Sequence, residues 1–277
     1  MAVSRTETIR AFYRTLFRAW GRQHWWPAQS RFEVVVGAFL TQNTAWTNVE
    51  KAMAQLRRAR VLSLNGIRHT PLPQLEQLIR SAGYFRQKAA RLKNFVAHLD
   101  ERHTGSLHCM FARPTAELRQ ELLALNGIGP ETADSILLYA GSHPAFVVDA
   151  YTRRILDRHR ILPPNAPYAT IRNLFEAALG APEFVAQCED DLHLLATDRR
   201  PPAAPKGASH PPSRISTVPR TATAQVFNEM HGLIVGVGKN FCLKSKARCD
   251  QCPLRVFLPV RGPRLTPQAP ARGPRLR

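Results

Sequence analysis

In the stretch LNGIGPETADSILLYAGSHPAFVVDAYTRRIL, residues 125–156, one carboxylate, Asp149, stands among Phe146, Val147, Val148 and Tyr151. A fixed anion in apolar surroundings acts through a field that little solvent competes with. Such a group suits a reaction in which positive charge develops, or one in which water must be oriented or deprotonated. Asp149 can equally serve as the N-cap of a helix beginning at Ala150, and the two roles are compatible. Upstream, Gly127-Ile128-Gly129 precedes Pro130, so the turn can aim amide N–H groups outward at a helix N-terminus, where an anion such as phosphate is favoured. The plainer alternative is that the glycines only tighten a helical hairpin. Glu131, in the first turn, complements the helix dipole. Near the end of the chain Cys242, Cys249 and Cys252 gather three soft donors, which points to a metal. Trp25, Trp26 and Trp46 offer aromatic faces that attract cations, against the usual role of tryptophan in a core.

The background to these residues is strongly basic. Lys and Arg total 39 against 20 acidic residues, a formal charge of +19 in 277 residues, spread along the chain and not confined to one tail. An excess of this kind suits a polyanion, because each neutralised phosphate releases condensed counterions. Nucleic acid is therefore the first partner expected. No apolar run approaches the ~20 residues needed to span a bilayer, so no membrane partner is expected. The opening MAVSRTETIRAFYRTLFRAW alternates charge with apolar residues and does not read as a signal peptide. A cytoplasmic location is expected, nucleoid-associated in a bacterium, and five cysteines, an odd number, argue against a disulfide framework.

The elements that must position these groups read as helices. Helical periodicity recurs throughout and sustained period-two alternation is missing, which predicts an all-α protein. RFEVVVGAFLTQNTAWTNVEKAMAQLRRA reads as two helices broken at Thr41–Thr44, and PLPQLEQLIRSAGYFRQKAARLKNFVAHLDER as two more broken at Gly83. PTAELRQELLALNGIGPETADSILLYAG gives a further pair, and YTRRILDRHRI, YATIRNLFEAALG and QVFNEMHGLIVGVGKNFC continue the pattern. Residues 197–224 are rich in Pro, Ala, Ser and Arg, too poor in apolar groups to offset the entropy of ordering them, and are expected to form a flexible insertion. Residues 260–277 read as a disordered basic tail.

Taken together, LNGIGPETADSILLYAGSHPAFVVDAYTRRIL resembles the helix-hairpin-helix and Gly/Pro-rich-loop-aspartate motif of the endonuclease III superfamily of DNA glycosylases. FEVVVGAFLTQNTAWTNVEKAM and GYFRQKAARLKNF resemble that family's early helices. The likeness runs from about residue 30 to 180 and resumes from about 225 to 259. It implies a two-lobed helical fold: 30–135 as the lobe bearing the hairpin, 136–196 with 225–259 as the second lobe, and 1–29 packing with the latter. The active-site cleft is then expected between the lobes, with Asp149 at its mouth.

By the same resemblance Asp149 is the catalytic carboxylate, acting on the oxocarbenium character that grows on deoxyribose as its base departs. Gln42 and Asn43 fall in the loop that fills the gap left by an extruded base, and Gly127, Ile128, Gly129 and Thr132 fall in the DNA-binding hairpin. Glu131 stands where strand-cutting members carry a Schiff-base lysine, and a carboxylate cannot form an imine. A monofunctional glycosylase acting as a monomer on duplex DNA with a damaged base is therefore expected. HWWP, LTQNTAW and GIGPETAD resemble the 3-methyladenine DNA glycosylase branch, so an alkylated purine is the expected substrate, with Trp25, Trp26 and Trp46 at the base pocket. The competing readings are a bifunctional endonuclease III-like enzyme on oxidised pyrimidines and a non-catalytic DNA-binding paralogue. Cluster-bearing members have a fourth cysteine where this chain has Leu258, so a [4Fe-4S] cluster lacks one ligand, unless Cys188, a histidine, an exogenous group or zinc chemistry completes the site.

Overall fold

The computed structural model describes residues 4–194 and 210–264, without the side chains of 189–194. In chain order the helices are α1 (Arg5–Trp20), α2 (Arg31–Thr41), α3 (Trp46–Arg58), α4 (Leu64–His69), α5 (Leu72–Leu78), α6 (Phe85–His103), α7 (Leu107–Phe111), α8 (Thr115–Ala124), α9 (Pro130–Ser135), α10 (Ala150–Arg158), α11 (Tyr168–Leu179), α12 (Pro182–Leu194) and α13 (Ala222–Asn240). A π-helical turn, Ile136–Ala140, extends α9, and short 3₁₀ turns follow α5 and α13. The fold is all-α: among the described residues the single β pairing is an isolated bridge between Cys242 and Ala247. None of these helices is long and apolar enough to cross a membrane.

The chain divides into two compact units. One comprises residues 1–23, 148–209 and 229–277. Its α1 buries Ile9, Phe12, Tyr13, Leu16, Phe17 and Trp20, a single helical stripe at spacings of three and four, and packs on α11 and the terminal 3₁₀ turn. Each such side chain contributes roughly 1.5–3 kcal/mol on burial, so Leu16→Ala, which also leaves a cavity, should cost about 2–5 kcal/mol. Ser4 caps α1 by accepting the Glu7 N–H at 3.1 Å.

The other unit comprises residues 24–147 and 210–228. Its centre is α2, buried without a break from Phe32 to Leu40, as expected of a helix with neighbours on every side. Around it pack α3, α6 and the π turn, whose five residues are all buried. α6 presents Lys88, Ala89, Leu92, Phe95, Val96, Leu99 and His103 to the interior, again one stripe, with a lysine at its start and a histidine at its end.

These boundaries correct the sequence-based division in three places. Residues 24–29 and 136–147 belong with the hairpin unit, because the π turn is buried against α2. Of the expected flexible insertion, 197–209 lie outside the described residues, whereas 210–221 are packed. There Ile215 N–H donates to the Ala28 carbonyl at 3.1 Å and the buried Ser213 hydroxyl to the Trp26 carbonyl at 3.2 Å. A few serine hydroxyls and one isoleucine suffice to fix a segment whose composition is poor in apolar residues. The tail also begins tethered, with Arg264 N–H donating to the Arg158 carbonyl at 3.1 Å and its guanidinium to Asp157 at 3.1 Å; 265–277 lie outside the described residues.

Candidate functional site

The hairpin is built by α8, the turn Leu125–Gly129 and α9. Ile128 N–H donates to the Leu125 carbonyl at 3.1 Å and closes the turn, and its side chain is buried, so Ile128 holds the hairpin's shape. Gly127 has φ of +84°, and a Cβ there would lie 2.0 Å from Arg91 Nε, so glycine is required twice over. Gly129 caps α9 in extended backbone, and a Cβ there would meet nothing within 4 Å, so this side of the turn is open. Glu131 is exposed in the first turn of α9.

The polar break between α2 and α3 is tied to this turn. Gln42 Nε2 donates to the Gly127 carbonyl and to Thr132 Oγ1, both at 2.9 Å, while Gln42 Oε1 accepts from Arg91 at 2.8 Å. Gln42 thus fixes the hairpin against α6. Of the expected pair, Asn43 is the exposed member, at φ +51°, a conformation asparagine tolerates better than most residues. Lys88, buried in α6, holds the same loop from beneath: its ammonium donates to the Leu40 carbonyl and Thr44 Oγ1 at 2.7 Å and to the Ala82 carbonyl at 2.8 Å. Burial, with the Arg91 charge adding to it, lowers the Lys88 pKa to about 8.

The three tryptophans expected at a base pocket pack around Trp26, chiefly as interior residues. Trp26 lies 5.3 Å from both the Trp46 and Tyr139 rings and 5.6 Å from Trp25, and Trp25 and Trp26 are buried. Gly37 in α2 makes room for Trp26, whose Cζ2 would lie 3.1 Å from an added Cβ. Trp46 is only half-buried, its indole N–H donating to Glu50 at 2.8 Å.

In the other unit Asp149 caps α10. Its Oδ1 accepts from the Thr152 N–H at 2.8 Å and the Thr152 hydroxyl at 2.9 Å, and its own N–H points back to Thr152 Oγ1 at 3.4 Å, completing a capping box. Oδ2 faces Nε2 of His231, in α13, at 3.6 Å, too far for a hydrogen bond. Burial pushes the His231 pKa below its usual value against the opposing pull of Asp149, so the ring is neutral at neutral pH and does not cancel the carboxylate charge. The Asp149 side chain keeps 13% of its surface exposed. α10 and α13 approach closely here, since a Cβ on Gly238 would lie 2.1 Å from Tyr151 Cδ1. Oδ1 is therefore committed to the cap, and Oδ2 takes no part in it.

The three cysteines line one small cavity, about 20 Å³, together with Ile155, Arg158, His159, Val237, Phe241 and Leu258. Arg158 donates to Cys242 Sγ at 3.1 Å and to the Leu243 carbonyl at 2.7 Å. Burial pushes the Cys252 thiol up to about 11, and burial with the nearby Cys242 raises that of Cys249. The residues present do not fit a four-thiolate [4Fe-4S] site, which needs four sulfur donors. Three thiols and the apolar Leu258 stand here, and a guanidinium already occupies one sulfur. Cys188 is buried in α12 and is not among the residues lining this cavity.

The sequence singled out Asp149, the hairpin glycines and the polar loop as candidates, and it offered no sign of the contacts that Lys88, Arg91, His231 and Arg158 make with these groups and the cysteines. Arg91 lies among several basic residues in RQKAARLKNF, and nothing in the sequence separates it from them. His231 has no spacing that ties it to Asp149.

Residues 36–180 match the family described as HhH-GPD superfamily base excision DNA repair protein. The Methanocaldococcus jannaschii protein named "Putative DNA repair glycosylase MJ1434" is 37% identical over 258 residues, covering 93% of this chain and 98% of that protein. The solved structure of H. pylori 3-methyladenine DNA glycosylase bound to 1,N6-ethenoadenine is similar at a TM-score of 0.62 and 25% identity, over 86% of this chain and 98% of that one. A trapped endonuclease III–DNA covalent intermediate shares the fold at a TM-score of 0.65 and 19% identity, over 93% of this chain and 96% of that one.

Proposed function

Since the chain belongs to the HhH-GPD superfamily of base excision DNA repair proteins, we propose that it is a monofunctional DNA glycosylase that hydrolyses the glycosidic bond of an alkylated purine in duplex DNA. The observation that carries this reading is the geometry of Asp149, whose Oδ1 is held by Thr152 while Oδ2 lies 3.6 Å from a neutral His231 on a side chain that keeps 13% of its surface exposed. A carboxylate so fixed cannot swing away, and its negative charge meets the positive charge that develops on the sugar as the base leaves. A full formal charge there stabilises the oxocarbenium-like transition state more than the ground state, which is the condition for acceleration.

The lack of a nucleophilic amine supports the monofunctional half of the proposal. Glu131 occupies the first turn of α9, where strand-cutting relatives would carry lysine, and a carboxylate there suits the helix dipole but cannot form an imine. The choice of substrate rests on the likeness to the H. pylori 3-methyladenine enzyme and on the half-buried Trp46 beside Trp26, an indole face suited to a base that carries positive charge. Asn43, exposed at the tip of its loop, is the residue assigned to the gap left by the extruded nucleotide, with Gln42 holding the loop to the hairpin. Gly127, Gly129 and the α9 N-terminus are assigned to the DNA backbone.

The test is to incubate the protein with duplexes that each carry one lesion, and to identify the liberated base by mass. Release of 3-methyladenine without strand cleavage, and no covalent adduct on borohydride treatment, is the expected result. Release of oxidised pyrimidines with a trapped adduct overturns both halves of the proposal, and binding without any base release makes the protein a non-catalytic DNA binder.

A further inference from the structure

At its C-terminal end α6 carries two histidines, His98 and His103, that the repair chemistry does not use. His98 Nε2 lies 2.7 Å and His103 Nε2 2.5 Å from one and the same oxygen, Oε1 of Glu121 in α8. The second oxygen of Glu121, Oε2, is held by Arg113 at 3.3 Å, and Arg113 shares its charge with Glu117 at 2.9 Å. The side chains are largely enclosed: 4% exposed for His103, 12% for Glu121 and 18% for His98. Among the described residues this is the group of three or more histidine, cysteine, aspartate or glutamate donors whose ligand atoms all lie within 4.8 Å of one another.

We propose that His98, His103 and Glu121 bind a divalent transition-metal ion, zinc in the first instance, as a clamp between the end of α6 and α8. Two imidazole nitrogens and one carboxylate oxygen converging on a point are a donor set that zinc accepts, with water free to take a fourth position. Bonds of ~2.0–2.1 Å in tetrahedral array place neighbouring donors about 3.3 Å apart, so the two nitrogens, now 2.7 and 2.5 Å from Oε1, must each draw back by roughly 0.6–0.8 Å and settle at the same spacing from one another, from a present separation within 4.8 Å. The Arg113 guanidinium, on the oxygen that faces away, is the kind of outer partner that orients a ligating carboxylate. A metal selects carboxylate and neutral imidazole, so each Nε2 must give up any proton it carries, either to Nδ1 of the same ring by tautomerisation or, from a charged ring, to solvent. The clamp would fix α8, whose C-terminus leads directly into the turn at Leu125–Gly129, so the metal sets the hairpin and takes no part in bond cleavage.

The experiment uses the tag-free full-length chain, stripped with a chelator and titrated with Zn²⁺ against a chromophoric competitor, with Co²⁺ as a spectroscopic substitute. Because Cys242, Cys249 and Cys252 are alternative donors, C249S/C252S is titrated beside the wild type, and E121Q and H98Q beside both. One equivalent of zinc retained in C249S/C252S, a dissociation constant weakened at least about 100-fold in E121Q, and a Co²⁺ spectrum free of thiolate charge transfer are expected. Free zinc at about 100 times Kd should raise the wild-type Tm by about 5 °C or more, and should not do so for E121Q. Should the variants fail to fold, the wild type suffices: zinc must shift the ring-nitrogen resonances of two histidines together. No stoichiometric binding, binding unchanged in E121Q, or binding lost in C249S/C252S overturns the proposal and leaves the three residues as a hydrogen-bonded triad.

Discussion

Around Gly127, Gln42 spends its amide on a carbonyl, a hydroxyl and a guanidinium, and Lys88 spends its ammonium on three oxygens. Around Asp149 the pattern differs: one carboxylate oxygen makes two hydrogen bonds and the other lies 3.6 Å from a neutral imidazole. In the cysteine cavity of the same unit Arg158 donates to Cys242 Sγ, while burial keeps the Cys252 thiol in its protonated form. Groups that keep a shape are saturated by partners within the chain, since an unmet buried donor or acceptor costs about 1–3 kcal/mol. A group that acts on a guest must keep part of its bonding capacity unspent.

This contrast breaks most visibly at Asp149. Asp149→Asn keeps an acceptor for the Thr152 N–H, so the cap and the melting temperature should hold, while single-turnover base release falls by at least about 100-fold. Normal release from a folded Asp149→Asn variant would put this position back among the shape-keeping groups. The next largest effect belongs to the saturated side. Gly127→Ala must adopt a left-handed backbone costing about 1–2 kcal/mol and must also displace Arg91. Both stability, read by denaturant melts, and affinity for duplex DNA should fall.

Lys88→Met removes the donor for three buried acceptors and should destabilise by about 1–3 kcal/mol, with faster amide exchange in residues 41–45 than elsewhere in the unit. An unchanged exchange pattern would mean that the loop is held by Gln42 alone. Acidification probes the Asp149 side more gently. Burial lowers the pKa of His231 and of His159, so the unfolded chain binds protons that the fold refuses. Their contribution to stability is complete above about 6.5 and is lost as pH falls below it, and His231→Gln should flatten that part of the pH–Tm curve. The smallest effect is expected at the cavity: Leu258→Cys supplies the missing fourth thiol, and iron uptake on anaerobic reconstitution should appear in this variant and not in the parent, at little change in stability.

The order and type of the helices were legible in the chain because they depend on local periodicity and on local punctuation. The stripe Ile9 to Trp20, the polar break at Thr41–Thr44, the glycine turn at 127–129 and the cap at Asp149 all act over a few residues. Those features also carry the family resemblance, so the carboxylate and the hairpin could be named from sequence. What tertiary structure alone decided is which distant groups meet. Gln42 reaches Gly127 across 85 positions, and His231 stands beside Asp149 though no spacing links them. Ser213 turns a proline-rich stretch into packed chain. His98 and His103 find Glu121 only because α6 and α8 lie side by side. A sequence pattern records what each residue does to its own helix, whereas pairing across the fold depends on how buried faces stack, and that is set by packing complementarity summed over the whole unit.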